Sequence, residues 1–102
     1  MQDNNEILQT VILSIEETTT FFYQQKDKEG YEKLNESLTA IGLAMDIIHK
    51  LSAGNERFVA VEKNINGYLN DAMEALAMKD SILLADILLY EIAEQFKEAK
   101  HQ

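Results

Sequence analysis

Apolar residues recur three and four positions apart along nearly the whole chain, the spacing that gathers them on one face of an α-helix. Polar punctuation divides this pattern into four segments. The first, residues 4–25, places Ile7, Leu8, Val11, Ile12, Ile15, Thr19 and Phe22 on one side. Asp3, Asn4 and Asn5 stand ready to cap its first free amides. The polar run Gln-Gln-Lys-Asp-Lys at 24–28 ends it. The second segment, residues 28–53, carries Tyr31, Leu34, Leu38, Ile41, Met45 and Ile48 at alternating steps of three and four, as a bundle seam does. Ser52-Ala53-Gly54-Asn55 closes it, with Gly54 suited to a left-handed stop and Asn55 to the next cap. The third, residues 56–78, aligns Phe58, Val61, Ile65, Tyr68, Leu69, Ala72 and Leu76. Lys79-Asp80-Ser81 makes the last turn, and a fourth helix is expected over 81–99.

Helices of about 20 residues span roughly 30 Å. Links this short force neighbours to run antiparallel. The expected fold is all-α: one domain, an antiparallel up-down-up-down four-helix bundle. Proline is absent, so no ring interrupts a helix. Gly42 and Gly67 fall inside predicted helices, where each costs about 1 kcal/mol relative to alanine. Close approach of a neighbouring helix is the expected compensation, and a break at Gly67 is the alternative.

The fourth segment is apolar over more of its circumference than one buried face requires. Its broad face collects Ile82, Ala85, Leu88, Leu89, Ile92, Ala93 and Phe96. A second, narrower stripe holds Leu83, Ile87 and Tyr90, with Asp86 on its border and within reach of Tyr90. Spacing of i, i+4, i+7 is what an amphipathic helix offers to a groove or an oligomer partner. Three readings stay open: helices one and three wrap around the stripe, a second copy covers it, or another protein does. The second helix shows a similar surplus in Ala40, Leu43, Ile47 and Leu51, at the opposite end of an alternating bundle. The two surpluses are therefore not expected to merge into one patch on a monomer.

Charge sharpens the choice of partner. Nine basic against eighteen acidic residues give a formal net charge of −9. Binding to nucleic acid or to an anionic membrane relies on Lys and Arg, so neither is expected. A basic protein partner suits the field, although ordinary solubility explains the charge as well. With no cysteine, disulfides and thiolate metal sites are excluded. No positively charged leader with an apolar run opens the chain, and no stretch approaches 18 uninterrupted apolar residues. A cytoplasmic location is the expectation.

Candidate chemistry is thin. Di-metal bundles take a Glu-x-x-His pair from each of two helices, whereas the nearest spacing here is Asp46-Ile-Ile-His49 alone. The second histidine, His101, belongs to the terminal tail. Asp86 and Glu91 are five residues apart and point away from each other, so they make no carboxylate pair by themselves. No nucleophile elbow and no glycine-rich phosphate loop is present. Neither a catalytic residue nor a cofactor or metal site is assigned. No small-molecule substrate is evident.

The stretch Tyr68-Leu-Asn-Asp-Ala-Met-Glu-Ala-Leu-Ala-Met-Lys-Asp80, leading into Leu84-Ala-Asp-Ile-Leu-Leu-Tyr-Glu-Ile92, resembles the C-terminal signature of small, functionally uncharacterised helical proteins of clostridia and bacilli. Asp80, Leu84, Ala85, Asp86, Leu88, Tyr90 and Glu91 carry the likeness, which covers the last third of the chain. It implies a helical bundle and supplies no activity. Those sequences often place a proline soon afterwards; here the chain continues through Ala93 and Glu94, which points to a longer final helix. Flagellar export chaperones are similar in size and class only, an analogy that does not fix function. The expected role is a non-catalytic protein–protein interaction module using Leu83, Asp86, Ile87 and Tyr90. One alternative is a chaperone-like adaptor for a helical export substrate. The other is a metal or enzymatic bundle using Asp46, His49, Asp86 and Glu91.

Overall fold

A computed structural model describes residues 3–100, and these form four helices with no strand among them. α1 spans Asn4–Tyr23, α2 Asp27–Leu51 and α3 Glu56–Ala77. α4 runs over residues 81–100 in three continuous pieces: α-helical Ser81–Asp86, π-helical Ile87–Ile92 and α-helical Ala93–Lys100. α1 and α2 each end two residues earlier than their apolar pattern predicts. His101 lies outside the described residues.

Three of the four starts are capped by a side-chain oxygen. Asp3 accepts from the Glu6 amide at 2.8 Å, Asn55 from Arg57 at 3.0 Å and Asp80 from Leu83 at 3.0 Å. The stops are less orthodox. After α1, the Lys26 amide donates to the Phe21 carbonyl at 2.8 Å, and Gln25 donates to Phe22 at 3.0 Å. After α3, Asp80 and Lys79 donate to Ala75 and Leu76 in the same pattern. Both are Schellman closures, which place one residue in the left-handed region and usually put glycine there. Here Gln25 (φ 61°) and Lys79 (φ 57°) occupy it, and only the α2–α3 link uses glycine, at Gly54 (φ 74°).

The helices alternate in direction. Tyr23, at the end of α1, meets Asp86 near the start of α4, while Lys100 donates to Gln9 at the opposite end. His49, late in α2, meets Glu62, early in α3. α1 packs on α2 and α4, and α3 packs on the same two, so α1/α3 and α2/α4 form the diagonals. This is an antiparallel up-down-up-down four-helix bundle.

All four helices feed one core, with Leu8, Ile15 and Phe22 from α1, Ile48 from α2, Ile65 from α3 and Phe96 from α4 among its largest buried side chains. The α1/α2 seam is the tightest. A Cβ placed on Gly30 would lie 2.6 Å from the Phe22 ring, and that ring meets Tyr31 edge-on with centroids 5.0 Å apart. About two turns further along α2, Ser37 Oγ sits 2.8 Å from both Ser14 Oγ and Thr18 Oγ1. These hydroxyls satisfy one another across the two helices, and no described buried side-chain polar atom lacks a partner.

Four sequence expectations fail here. Gly42 and Gly67 face open space, with nothing within 4 Å of an added Cβ, so close packing does not explain them. α3 also passes through Gly67 unbroken. Ile82 is 47% exposed, whereas Leu84, outside both predicted stripes, is fully buried. Leu38 and Leu69 are only half-buried, against the edge of the core.

The error in α4 has a geometric cause. Leu84, Leu88, Ile92 and Phe96 are all fully buried, in uniform steps of four. At 3.6 residues per turn each such step overshoots by about 40°, and the row would wind off the core. The wider π turn absorbs part of that drift and keeps the row facing inward.

Candidate functional site

The π segment also decides what happens to the second stripe. It rotates the residues after Ile87 relative to those before it, so Leu83, Ile87 and Tyr90 do not stay in line. Leu83 and Ile87 turn towards α3 and line a groove with Tyr68 and Met78. Tyr90 and Asp86 lie around the corner, on the side where α1 ends. Of the four predicted contact residues, the structure brings together two pairs rather than one row.

The α3/α4 groove is apolar towards the α3–α4 turn and acidic towards its other end. Met78 is 66% exposed and Leu83 40%, while Ile87 is half-buried against the core. Asp71 and Glu74 stand on the α3 wall and Glu91 on the α4 wall, all three exposed. No basic side chain lines it. Glu91 reaches the Tyr68 phenol, and that hydrogen bond, the carboxylate charge and partial burial hold Tyr68 above the usual tyrosine pKa. The acids at the groove were individually visible in the sequence. Their convergence was not, because Asp71 and Glu74 belong to a different helix from Leu83 and Ile87.

Around the corner, Tyr23 Oη donates to Asp86 Oδ1 at 2.5 Å. Partial burial, that hydrogen bond and the negative charge of Asp86 all push the Tyr23 phenol well above its ordinary value, with Tyr90 adding to the effect. Asp86 therefore serves α1 through Tyr23, rather than Tyr90 one turn along its own helix. Tyr90 itself is 62% exposed.

On the α1/α2 face, Ile7, Ala40, Leu43 and Ile47 line a separate groove with Asp46 and Lys50 at its edge. Leu43 is the most exposed of them, at 58%. This patch and the α3/α4 groove occupy opposite faces and opposite ends of the bundle. Asp46 and His49 stand exposed on the rim of α2, where His49 Nδ1 lies 2.8 Å from Glu62 Oε2. Among the described residues, no group of three or more histidines and carboxylates has a geometry that could hold a metal ion. The Asp86 and Glu91 carboxylates face different helices, α1 and α3, and form no joint site. No described helix is long and apolar enough to cross a membrane.

Comparison with known proteins gives a family. The family described as "Domain of unknown function (DUF8042)" matches residues 1–102. No curated protein and no solved structure matches the chain. The chain belongs to the DUF8042 family.

Proposed function

We propose that this DUF8042 protein is a non-catalytic protein–protein interaction module that works through the surface of α4. The observation that carries this reading is the bulky apolar surface around the α3–α4 turn, where Met78, Ile82 and Leu83 are all exposed. Full burial of such a side chain is worth about 1.5–3 kcal/mol, and each of these leaves a large share of that in water. Contiguous exposed apolar surface marks interaction sites more often than scattered residues do. Leu83 and Ile87 are the proposed contacts on the α3 side, with Asp86 and Tyr90 extending the surface towards α1. Tyr90 suits that position because it offers a large apolar body with a polar tip. The module is placed in the cytoplasm, a location compatible with its cysteine-free sequence.

Affinity capture from the protein's own host tests the reading. Wild type and the double variant Leu83→Gln/Tyr90→Gln are compared, both residues being exposed enough to change without emptying the core. Specific partners that disappear with the double variant support the module. Capture unchanged by it removes α4 as the contact surface. Metal analysis of the same purified protein addresses the other class of function, and near-stoichiometric iron, manganese or zinc would overturn the reading.

A further inference from the structure

The two surface grooves differ in charge, and that difference narrows the partner. The α1/α2 groove carries one carboxylate, Asp46, and one ammonium, Lys50. The α3/α4 groove carries Asp71, Glu74 and Glu91 with no basic counterpart. Asp71, Glu74 and Met78 succeed one another at i, i+3 and i+7 along α3; Leu83, Ile87 and Glu91 do so at i, i+4 and i+8 along α4. Each wall therefore runs for about two turns, roughly 10 Å, with its apolar groups towards the α3–α4 turn and its carboxylates towards the other end. From this geometry we infer that the α3/α4 groove is a docking site for a basic amphipathic helix of a partner protein.

Apolar anchors of that helix, three or four residues apart, would seat on Met78, Leu83 and Ile87. Lysines or arginines beyond those anchors would face Asp71 and Glu74 on one wall and Glu91 on the other, at the groove's acidic end. A second copy of this chain is the poorer occupant. A symmetric contact through this groove would bring six carboxylates, three from each copy, into one interface with no basic residue lining it, in a protein whose net charge is −9. The π segment assists by holding Leu88 and Ile92 in the core, which leaves Ile87 and Glu91 directed at α3. The inference rests on the interaction-module reading and adds the chemistry of the partner.

Two designed 18-residue helical peptides test it, sharing one leucine stripe at i, i+4, i+7 and i+11. One carries lysine beside the stripe and the other glutamate; fluorescent labels allow anisotropy titration against the intact protein. The lysine peptide should bind about tenfold or more tightly, the scale that three exposed ion pairs supply together. Amide shifts on ¹⁵N-labelled protein should centre on Asp71, Glu74, Leu83 and Ile87. Asp71→Lys/Glu74→Lys should reverse the preference, while Glu29→Lys/Glu32→Lys, on α2 and outside the groove, should leave it intact. All four acids are exposed, so these variants should still unfold cooperatively as folded bundles. Equal loss with both double variants would mean attraction to net charge alone and would overturn the inference. So would shifts mapping to the α1/α2 groove, or a wild-type dimer that sediments intact and excludes both peptides. If the peptides fail while host capture remains Leu83-dependent, the partner chemistry falls and the interaction module stands.

Discussion

The α1/α2 pair and the α3/α4 pair are built from similar amphipathic helices, yet the first is sealed from Gly30 to Ser37, with its groove only at the far end, while the second stays open beside the α3–α4 turn. Between α1 and α2, Gly30 makes room for the Phe22 ring and Ser37 holds two hydroxyls of α1, so the helices approach closely and in one register. Between α3 and α4, the contacts are apolar at the centre, while Met78 and Leu83 remain in water at one end. Small residues and matched hydroxyls close a seam because each has only one good partner position. Long aliphatic side chains along a π turn leave a groove because they can pack in several ways. The sealed seam specifies the bundle, and the open one has surface to offer.

The largest effects should separate core from surface within α4. Leu84→Ala and Leu88→Ala each remove a fully buried side chain and should cost about 2–5 kcal/mol by denaturant unfolding. Ile82→Ala and Glu98→Ala, both at exposed positions, should stay within about 0.5 kcal/mol. An Ile82→Ala as costly as Leu84→Ala would show that the open end closes in solution and would break the contrast between the seams.

Gly30 tests the sealed side. Alanine favours helix by about 1 kcal/mol over glycine. At this site its methyl would overlap the buried Phe22 ring, and overpacking of that kind costs about 1–3 kcal/mol. Gly30→Ala should therefore be destabilising on balance. A rise in melting temperature would mean that Phe22 can yield and that the α1/α2 seam is softer than its geometry.

A smaller set of changes exploits glycine where it is idle and its absence where it would help. Gly42→Ala and Gly67→Ala meet no neighbour and should each stabilise by about 1 kcal/mol. Gln25→Gly and Lys79→Gly relieve a left-handed backbone that costs other residues about 1–2 kcal/mol, less the entropy glycine loses on folding. Chemical denaturation of the four single variants checks all of them. Lys79→Gly also lies at the open end, so a gain there without loss of peptide binding would separate turn strain from docking.

The four helices, their order and their links were legible because apolar period and polar punctuation agree along the whole chain. Asp3, Gly54 and Asn55 do what their residue types suggest. What escaped were features that depend on a second helix or on a departure from 3.6 residues per turn. Gly30 reads as an unremarkable residue at a helix start, and only the Phe22 ring across the seam explains it. The run Leu84, Leu88, Ile92, Phe96 holds a signal for the π segment, since four equal steps of four fit a straight α-helix poorly. That signal was hidden by Ile82 and Leu83, which complete a regular pattern and are both exposed. The candidate contacts Leu83 and Ile87 were visible as a surplus, but the acidic wall that gives their groove a character comes from α3.

The smallest expected effect concerns the corner where the open pair touches the sealed one. Tyr23 ends α1 and donates to Asp86 on α4, and its phenol is held above the ordinary tyrosine value of about 10. A proton held more tightly in the folded than in the unfolded protein stabilises the fold fully while the unfolded tyrosine remains protonated. That contribution drains away as pH rises from about 10 through the folded value. Melting temperature should therefore fall above about pH 10, and Tyr23→Phe should remove part of that slope and lower the melting temperature modestly at neutral pH, where the hydrogen bond to Asp86 is intact. Tyr68, raised by Glu91, adds a second portion, and Tyr68→Phe should act in the same direction. Ultraviolet titration of phenolate absorbance should show Tyr23 ionising late in the folded protein and at the ordinary value in denaturant. Unchanged alkaline slopes in both variants would mean that these two hydrogen bonds do not persist in solution. The corner joining α1 to α4, and the Glu91 wall of the groove, would then be looser than the bundle they belong to.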